Sequence, residues 1–388
     1  MIDHELMLSD TLKCIKPSGI RKFFDMLSGM DDVTALTVGQ PDFVTPWHIR
    51  EAAIQSLERG HTYYTSNSGL PELRSEVANY MKRRFNLDYS ASDVLVTVGG
   101  SEAIDVGVRA LINPGDQVIV PMPSFVCYEP IARMAGAEVV VINTKAENGF
   151  KLTPDELKNA ITPKTKLLIL PYPNNPTGAI LEREELEELA KVIRETNIAV
   201  LSDEIYAELT YGKTHVSIAS IEGMKERTII ASGFSKAYAM TGWRLGYLCG
   251  PTSWIKQMTK LHQYAIMCAP TVSQFAAVEA LKNGDNDIAE MCAEYNRRRV
   301  FIADGLREIG LPVMMPEGAF YIYPCIGGFG LSSEEFCQRL LMEEKCAIVP
   351  GTAFGECGEG YARISYAYSV RHIAEALEKI KRFVDKLK

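Results

Sequence analysis

Between residues 94 and 247, short apolar runs rich in β-branched residues alternate with longer runs of helical period, and few folds satisfy that alternation. Val94-Leu95-Val96-Thr97-Val98, Gln117-Val118-Ile119-Val120, residues 138–142, Lys166-Leu167-Leu168-Ile169-Leu170, Ile198-Ala199-Val200-Leu201-Ser202 and Thr228-Ile229-Ile230 each read as strands. Helices are expected over 103–111 and 183–196, the second with Leu186, Leu189 and Ile193 on one face. Strands and helices in strict turn make an α/β fold, a mostly parallel sheet with helices on both faces.

Ligands in such sheets bind beyond the carboxyl ends of the strands. Gly100, Phe125, Asn175, Asp203 and Lys236 all take that position, each after a different strand. Gly99-Gly100-Ser101-Glu102 presents free backbone N–H groups at the positive end of a helix. That pattern serves a phosphate or a simple helix cap, and it is not the dinucleotide fingerprint. Lys236 lies among small residues with no adjacent acid, and Arg244 follows just after a Thr-Gly pair. Like charge and an apolar surround push a lysine pKa down, and only the neutral amine condenses with a carbonyl. Taken alone, Lys236 reads first as a solvated loop lysine, and the rest of the chain changes that reading.

Flanking segments complete the outline. Residues 1 to about 35 read as an extended arm with one helical piece over 21–27, and 35–38 as a strand running into Gly39-Gln40-Pro41-Asp42. That loop is either a plain turn or a place where Gly39 lets backbone approach a ligand. Pro71 opens an amphipathic helix, just after the polar aromatic loop Tyr63-Tyr64-Thr65-Ser66-Asn67-Ser68-Gly69. Beyond Tyr247 the pattern turns helical over 273–282 and 288–309, with strands at 319–323 and 363–366. The last helix carries Ile373, Leu377, Ile380, Val384 and Leu387 as a core stripe. The expected division is an N-terminal arm over 1–40 that also forms part of the small domain, a large ligand-binding domain over 41–285 and a smaller α+β domain over 286–388.

Composition excludes several classes. A formal net charge of −8 with no basic cluster argues against a nucleic-acid surface. Nine cysteines without a Cys-x-x-Cys pair give neither a zinc pattern nor a disulfide framework, so reduced thiols and a cytoplasmic setting are expected. The first ten residues lack the basic-then-apolar order of a signal peptide, and no run is long enough to span a bilayer.

A strand-end carboxylate, a condensing lysine, an arginine, an amide and a phosphate loop together point to pyridoxal phosphate. Asp203 suits the partner of the ring nitrogen, or else caps the next turn; both readings stand at this point. Asn175 and Tyr206 can bond the ring's phenolic oxygen, and Phe125 can stack on its face. Ser101, the Gly100–Glu102 backbone and Arg244 would hold the phosphate. Once freed, Lys236 can carry a proton as general base and acid.

The same residues resemble a known family. Gly39-x-Pro41-Asp42, Tyr64, Gly69-x-Pro71-Glu72-Leu73-Arg74, Asn174-Asn175-Pro176-Thr177-Gly178, Asp203-Glu204-Ile205-Tyr206, Ser235-Lys236-x₃-Met240-Thr241-Gly242-Trp243-Arg244 and Arg363-Ile364-Ser365 occur in this order. In them the chain is similar to fold-type I aminotransferases of class I/II, in the prokaryotic aspartate/aromatic branch. The resemblance implies an aspartate aminotransferase-like large domain and adds Ser235 to the cofactor site. It implies that Arg363 clamps the substrate carboxylate with Gly39 and Asn175. It also implies a homodimer in which Tyr64 crosses to the neighbouring subunit's cofactor. Expected substrates are an aromatic, aspartate-like or N-acetyl-LL-diaminopimelate amino donor and a 2-oxo acid such as 2-oxoglutarate. Ser101 stands where dicarboxylate enzymes of the branch often carry Lys, with Arg21 a substitute; Phe23, Phe24, Tyr64 and Tyr264 are candidates for an adaptable side-chain pocket. A carbon–sulfur β-lyase on the same scaffold is the alternative. A ligand sensor would need a DNA-binding extension, and the arm before Gly39 is too short and not basic.

Overall fold

The computed structural model describes residues 2–17, 19, 29, 30 and 32–388. The helical piece over 21–27, and with it Arg21, Phe23 and Phe24, lies outside the described residues.

A seven-stranded sheet organises the chain. Its strands are β2 (Val94–Thr97), β3 (Gln117–Met122), β4 (Glu138–Asn143), β5 (Thr165–Leu170), β6 (Ala199–Asp203), β7 (Thr228–Gly233) and β8 (Gly246–Cys249); β1 (Thr34–Ala35) lies elsewhere. The order across the sheet is β2-β8-β7-β6-β5-β3-β4. Pairs from β4 through β7 are parallel, and β8 runs antiparallel to both β7 and β2. The α/β class and the mostly parallel sheet match the expectation. The antiparallel β8 was not foreseen, and neither were the helices Trp47–Glu58, Thr252–Ala265 and Ser333–Glu344.

Alternation along β5 shows why its Leu167–Leu170 run is wholly apolar. Leu167 and Ile169 pack with Ala103, Ile104 and Val108 of the helix Gly100–Leu111 on one face. Leu168 and Leu170 pack with Leu186, Leu189 and Ile193 of the helix Arg183–Arg194 on the other. Successive side chains of a strand point to opposite faces, so burial on both sides leaves no polar position until the strand ends.

The C-terminal part builds a second core. β9 (Tyr321–Ile322), β11 (Val349–Pro350) and β12 (Ala362–Ser365) form an antiparallel sheet in the order β11-β12-β9. β1 pairs in parallel with β10 (Cys346–Ala347), so a strand preceding Gly39 joins the C-terminal residues. The closing helix Val370–Leu387 buries Ile373, Ile380, Phe383 and Val384 against Ile302 and Leu306.

Candidate active site

Strand ends and turns converge on one cavity of about 350 Å³. Asp203 is the last residue of β6, Lys236 follows β7, and Asn175 and Phe125 follow β5 and β3. Gly100 and Ser101 open the helix after β2. Arg363 enters from β12, and Gly39 from the loop after β1, so both sheets contribute walls. Tyr206, Ser235 and Arg244 also line the space.

Lys236 is half-buried, and its Nζ donates to the Gly39 carbonyl at 2.6 Å. Burial, then the charges of Arg363 and Arg244, bring its pKa down to about 8 against the opposing pull of Asp203. Asp203 is buried, and that burial raises its pKa to about 6. Two donors resist the rise: the Tyr128 hydroxyl at 2.6 Å and the Ile205 backbone N–H at 3.2 Å. The Ile205 bond is the turn-capping geometry, so Asp203 caps its turn through one oxygen and still lines the cavity.

Arg363 is 3% exposed. Its Nη1 donates to Asn175 Oδ1 at 3.0 Å and its Nη2 to the Thr37 carbonyl at 2.6 Å. The rings of Tyr321 and Phe354 lie 4.6 and 4.7 Å from the guanidinium carbon. Its Nε has no hydrogen-bond partner among the described residues. A buried donor left open is expensive unless something comes to fill it.

At the other end, Gly99 has φ +82°, and a Cβ there would stand 2.7 Å from Arg244 Nη2. Arg244 itself takes a left-handed conformation and is tethered to the Thr241 carbonyl at 2.9 Å. The guanidinium thus lies against the backbone turn that begins the helix Gly100–Leu111. The Glu102 side chain turns elsewhere: it accepts from the Val98 N–H and bonds His262 Nδ1 at 2.7 Å. Only its backbone remains for a ligand at the helix end.

Tyr64 is not in the cavity; its side chain is 77% exposed, and Tyr264 is 87% exposed. Sequence reasoning missed three contributors, the Tyr128 hydroxyl, the Thr37 carbonyl and Tyr321, whose hydroxyl meets that of Tyr206 at 2.8 Å. Thr37 and Tyr321 stand in the expected strands 35–38 and 319–323, which carry no signal of a partner.

Residues 31–380 match the family model described as aminotransferase class I and II. The chain belongs to the class I and II aminotransferases. YugH of Bacillus subtilis (strain 168) is 51% identical over 380 residues, covering 98% of each chain. Aromatic-amino-acid aminotransferase 2 of Thermococcus litoralis is 42% identical over 387 residues, covering 99% of this chain and 100% of its own. The structure of Thermus thermophilus aspartate aminotransferase with maleate superposes with a TM-score of 0.93 at 38% identity, covering 97% of this chain and 99% of that one.

This aminotransferase takes pyridoxal phosphate as its cofactor. The residues of the cavity fit that group. A lysine with a readily neutralised amine, a buried carboxylate, and a helix N-terminus flanked by an arginine are the donor set its aldehyde, ring nitrogen and phosphate require. Among the described residues no group of three or more His, Cys, Asp or Glu side chains is arranged for a metal ion. No described helix is long and apolar enough to cross a membrane.

Proposed function

We propose that this aminotransferase moves the amino group of an aromatic, aspartate-like or N-acetyl-LL-diaminopimelate L-amino acid to a 2-oxo acid such as 2-oxoglutarate. The observation that carries the substrate class is Arg363. A buried guanidinium that lines the cavity and makes only one bond from each of Nη1 and Nη2 keeps donors for a carboxylate that accepts two parallel bonds. Every amino-acid and 2-oxo-acid substrate brings an α-carboxylate. Asn175 holds the guanidinium in place, and Gly39 offers backbone beside it.

When bound, pyridoxal phosphate supplies an aldehyde and a ring that withdraws electrons from the substrate carbon. Lys236 would be the residue that holds its aldehyde, and its amine would carry a proton as general base and acid. Asp203 would partner the ring nitrogen and keep it protonated. Asn175 and Tyr206 would bond its phenolic oxygen, and Phe125 would cover the ring. The Gly100–Glu102 backbone, Ser101, Ser235 and Arg244 would hold the phosphate. The division into an arm, a domain over 41–285 and a domain over 286–388 belongs to the same reading.

The active unit in this reading is a homodimer, with Tyr64 reaching the neighbouring cofactor. Two tied elements support it. Asn67 donates to the Met267 carbonyl at 2.9 Å, joining the Tyr63-Tyr64 loop to the segment after the helix Thr252–Ala265. Tyr63, Tyr64 and Tyr264 are 64, 77 and 87% exposed, a concentration of aromatic surface that favours a partner. All nine cysteines are free, which favours the cytoplasm.

A donor screen with 2-oxoglutarate tests the function: aspartate, tyrosine, phenylalanine, kynurenine and N-acetyl-LL-diaminopimelate, with cystathionine as the lyase control. Glutamate should form from at least one donor. Pyruvate from cystathionine with no glutamate from any donor would turn the assignment to the β-lyase. The amine sets a pH expectation as well. Because Lys236 is neutral above about pH 8, borohydride trapping of freshly added cofactor should quicken as pH rises through that value. A rate flat from pH 6 to 9.5 would remove the lowered amine pKa from the account.

A further inference from the structure

We propose that the Tyr321 hydroxyl fixes the Gly39 backbone and the Tyr206 hydroxyl in their working places, which makes Tyr321 the positioning residue at the substrate end of the site. The inference rests on the reading of the cavity given above, and goes beyond it by assigning a task to a residue outside the motifs.

β9 pairs with β12 so that Tyr321 lies opposite Ser365, and Arg363 is two residues away on the same face. The Arg363 guanidinium consequently lies over the Tyr321 ring, 4.6 Å from its centroid. Tyr321 is 1% exposed, with Tyr206 edge-on at 5.8 Å and Phe320 tilted against it at 5.0 Å. A ring packed on these sides cannot swing aside, so its hydroxyl is a fixed point.

Two functional groups meet that point. One is the Tyr206 hydroxyl at 2.8 Å. The other is Gly39, where an added Cβ would overlap the Tyr321 oxygen and sit 3.0 Å from its Cζ. Gly39 is not among the positive-φ glycines, so an alanine there is permitted by backbone conformation. Glycine is required because the Tyr321 oxygen fills the place of a side chain. The Gly39 carbonyl in turn holds Lys236 Nζ, and the Thr37 carbonyl holds Arg363. Tyr321 thereby sets how near the 37–39 backbone stands to the amine and to the guanidinium.

The hydroxyl pair also has a direction. A phenol has a single proton to donate. If Tyr206 gives its proton to the cofactor oxygen, Tyr321 must be the donor between the two tyrosines. Donation into the Tyr206 oxygen polarises its O–H and strengthens the bond it makes onward.

Four proteins test this: the natural chain, Gly39→Ala, Tyr321→Phe and the double variant, each studied with and without cofactor. Gly39→Ala should lower the Tm of the cofactor-free protein and raise the donor KM on the order of tenfold to a hundredfold, with a smaller change in kcat. Adding Tyr321→Phe removes the overlapping oxygen and should restore at least half of the lost Tm. Tyr321→Phe alone should lower Tm by less than Gly39→Ala does, since it leaves the buried Tyr206 hydroxyl without its partner but creates no overlap. It should also shift the pH midpoint of the loaded enzyme's visible absorbance upward, because a weaker bond from Tyr206 stabilises the anionic cofactor oxygen less. Simple additivity of the two substitutions in Tm, or an unmoved midpoint in Tyr321→Phe, overturns the proposal. If Gly39→Ala fails to fold, a folded double variant supports it and an unfolded one overturns it. Loss of the cofactor reading would show separately, as a natural chain that takes up no pyridoxal phosphate, while the cofactor-free Tm cycle would still decide the place of Tyr321.

Discussion

Replacing Lys236 by alanine is expected to abolish both the visible absorbance that pyridoxal phosphate acquires on the enzyme and the half-reaction with any amino acid. Lys236 is the one lysine lining the cavity among the described residues, so no other described amine is placed to substitute for it. Its surroundings also matter. A fall from the ordinary 10.5 to about 8 multiplies the neutral, nucleophilic fraction near pH 7 roughly 300-fold. The substitution removes a partly buried cation whose hydrogen bond goes to the Gly39 carbonyl, and the core clusters are left whole. Thermal stability should therefore hold while chemistry is lost, which separates a chemical role from a structural one. Borohydride reduction of the natural enzyme should fix the cofactor to the peptide that contains residue 236. Turnover surviving in Lys236→Ala, or label on another peptide, excludes Lys236 as the covalent residue.

How far the sequence revealed this site follows from the physics of each part. Strand ends were legible because β5, β6 and β7 are buried on both faces, so an apolar run stops abruptly where the first polar group reaches the cavity. Asp203, at the end of β6, and Asn175, after β5, are the first polar residues to line the cavity there, and Lys236 follows Ser235 three residues beyond the end of β7. Arg363 was legible only through the family motif, since β12 belongs to a different sheet and nothing local says which cavity it lines. β8 escaped notice because Gly246-Tyr247-Leu248-Cys249 is short and follows directly on the turn that carries Arg244. The turned-away Glu102 carboxylate was invisible too: its partner His262 is 160 residues further on and buried on another helix. The contact between Tyr321 and Gly39 is of the same kind. A glycine beside Pro41 reads as a turn residue, and only the packed structure shows a hydroxyl standing in the space of its side chain. Pairwise contacts of this sort are set by how two sheets meet, and periodicity within either element carries no trace of them.

Changing Asp203 to asparagine should reduce turnover by at least the ~10²–10³-fold that losing one preorganised electrostatic partner brings, and by more where the charge sits in a buried site. Asparagine keeps the shape, and its Oδ1 can still accept from the Ile205 N–H or from the Tyr128 hydroxyl, both now bonded to Asp203. What disappears is the negative charge. Burial alone would favour a neutral acid here, and the two donors hold the pKa to about 6, so the carboxylate is mostly ionised at neutral pH before any cation arrives. A protonated ring nitrogen placed beside it lowers that value further, since each charge stabilises the other. The sign for pH follows. As pH falls below about 6 the empty site gains a proton on Asp203, and affinity for the cofactor should weaken in the natural enzyme while the asparagine variant shows no such dependence. Tyr128→Phe should keep the acid limb but move it to higher pH, because it removes the stronger of the two bonds that keep the carboxylate ionised. Near-normal kinetics in Asp203→Asn, or a cofactor affinity that keeps the same acid limb, would mean that some other group sustains the ring's charge.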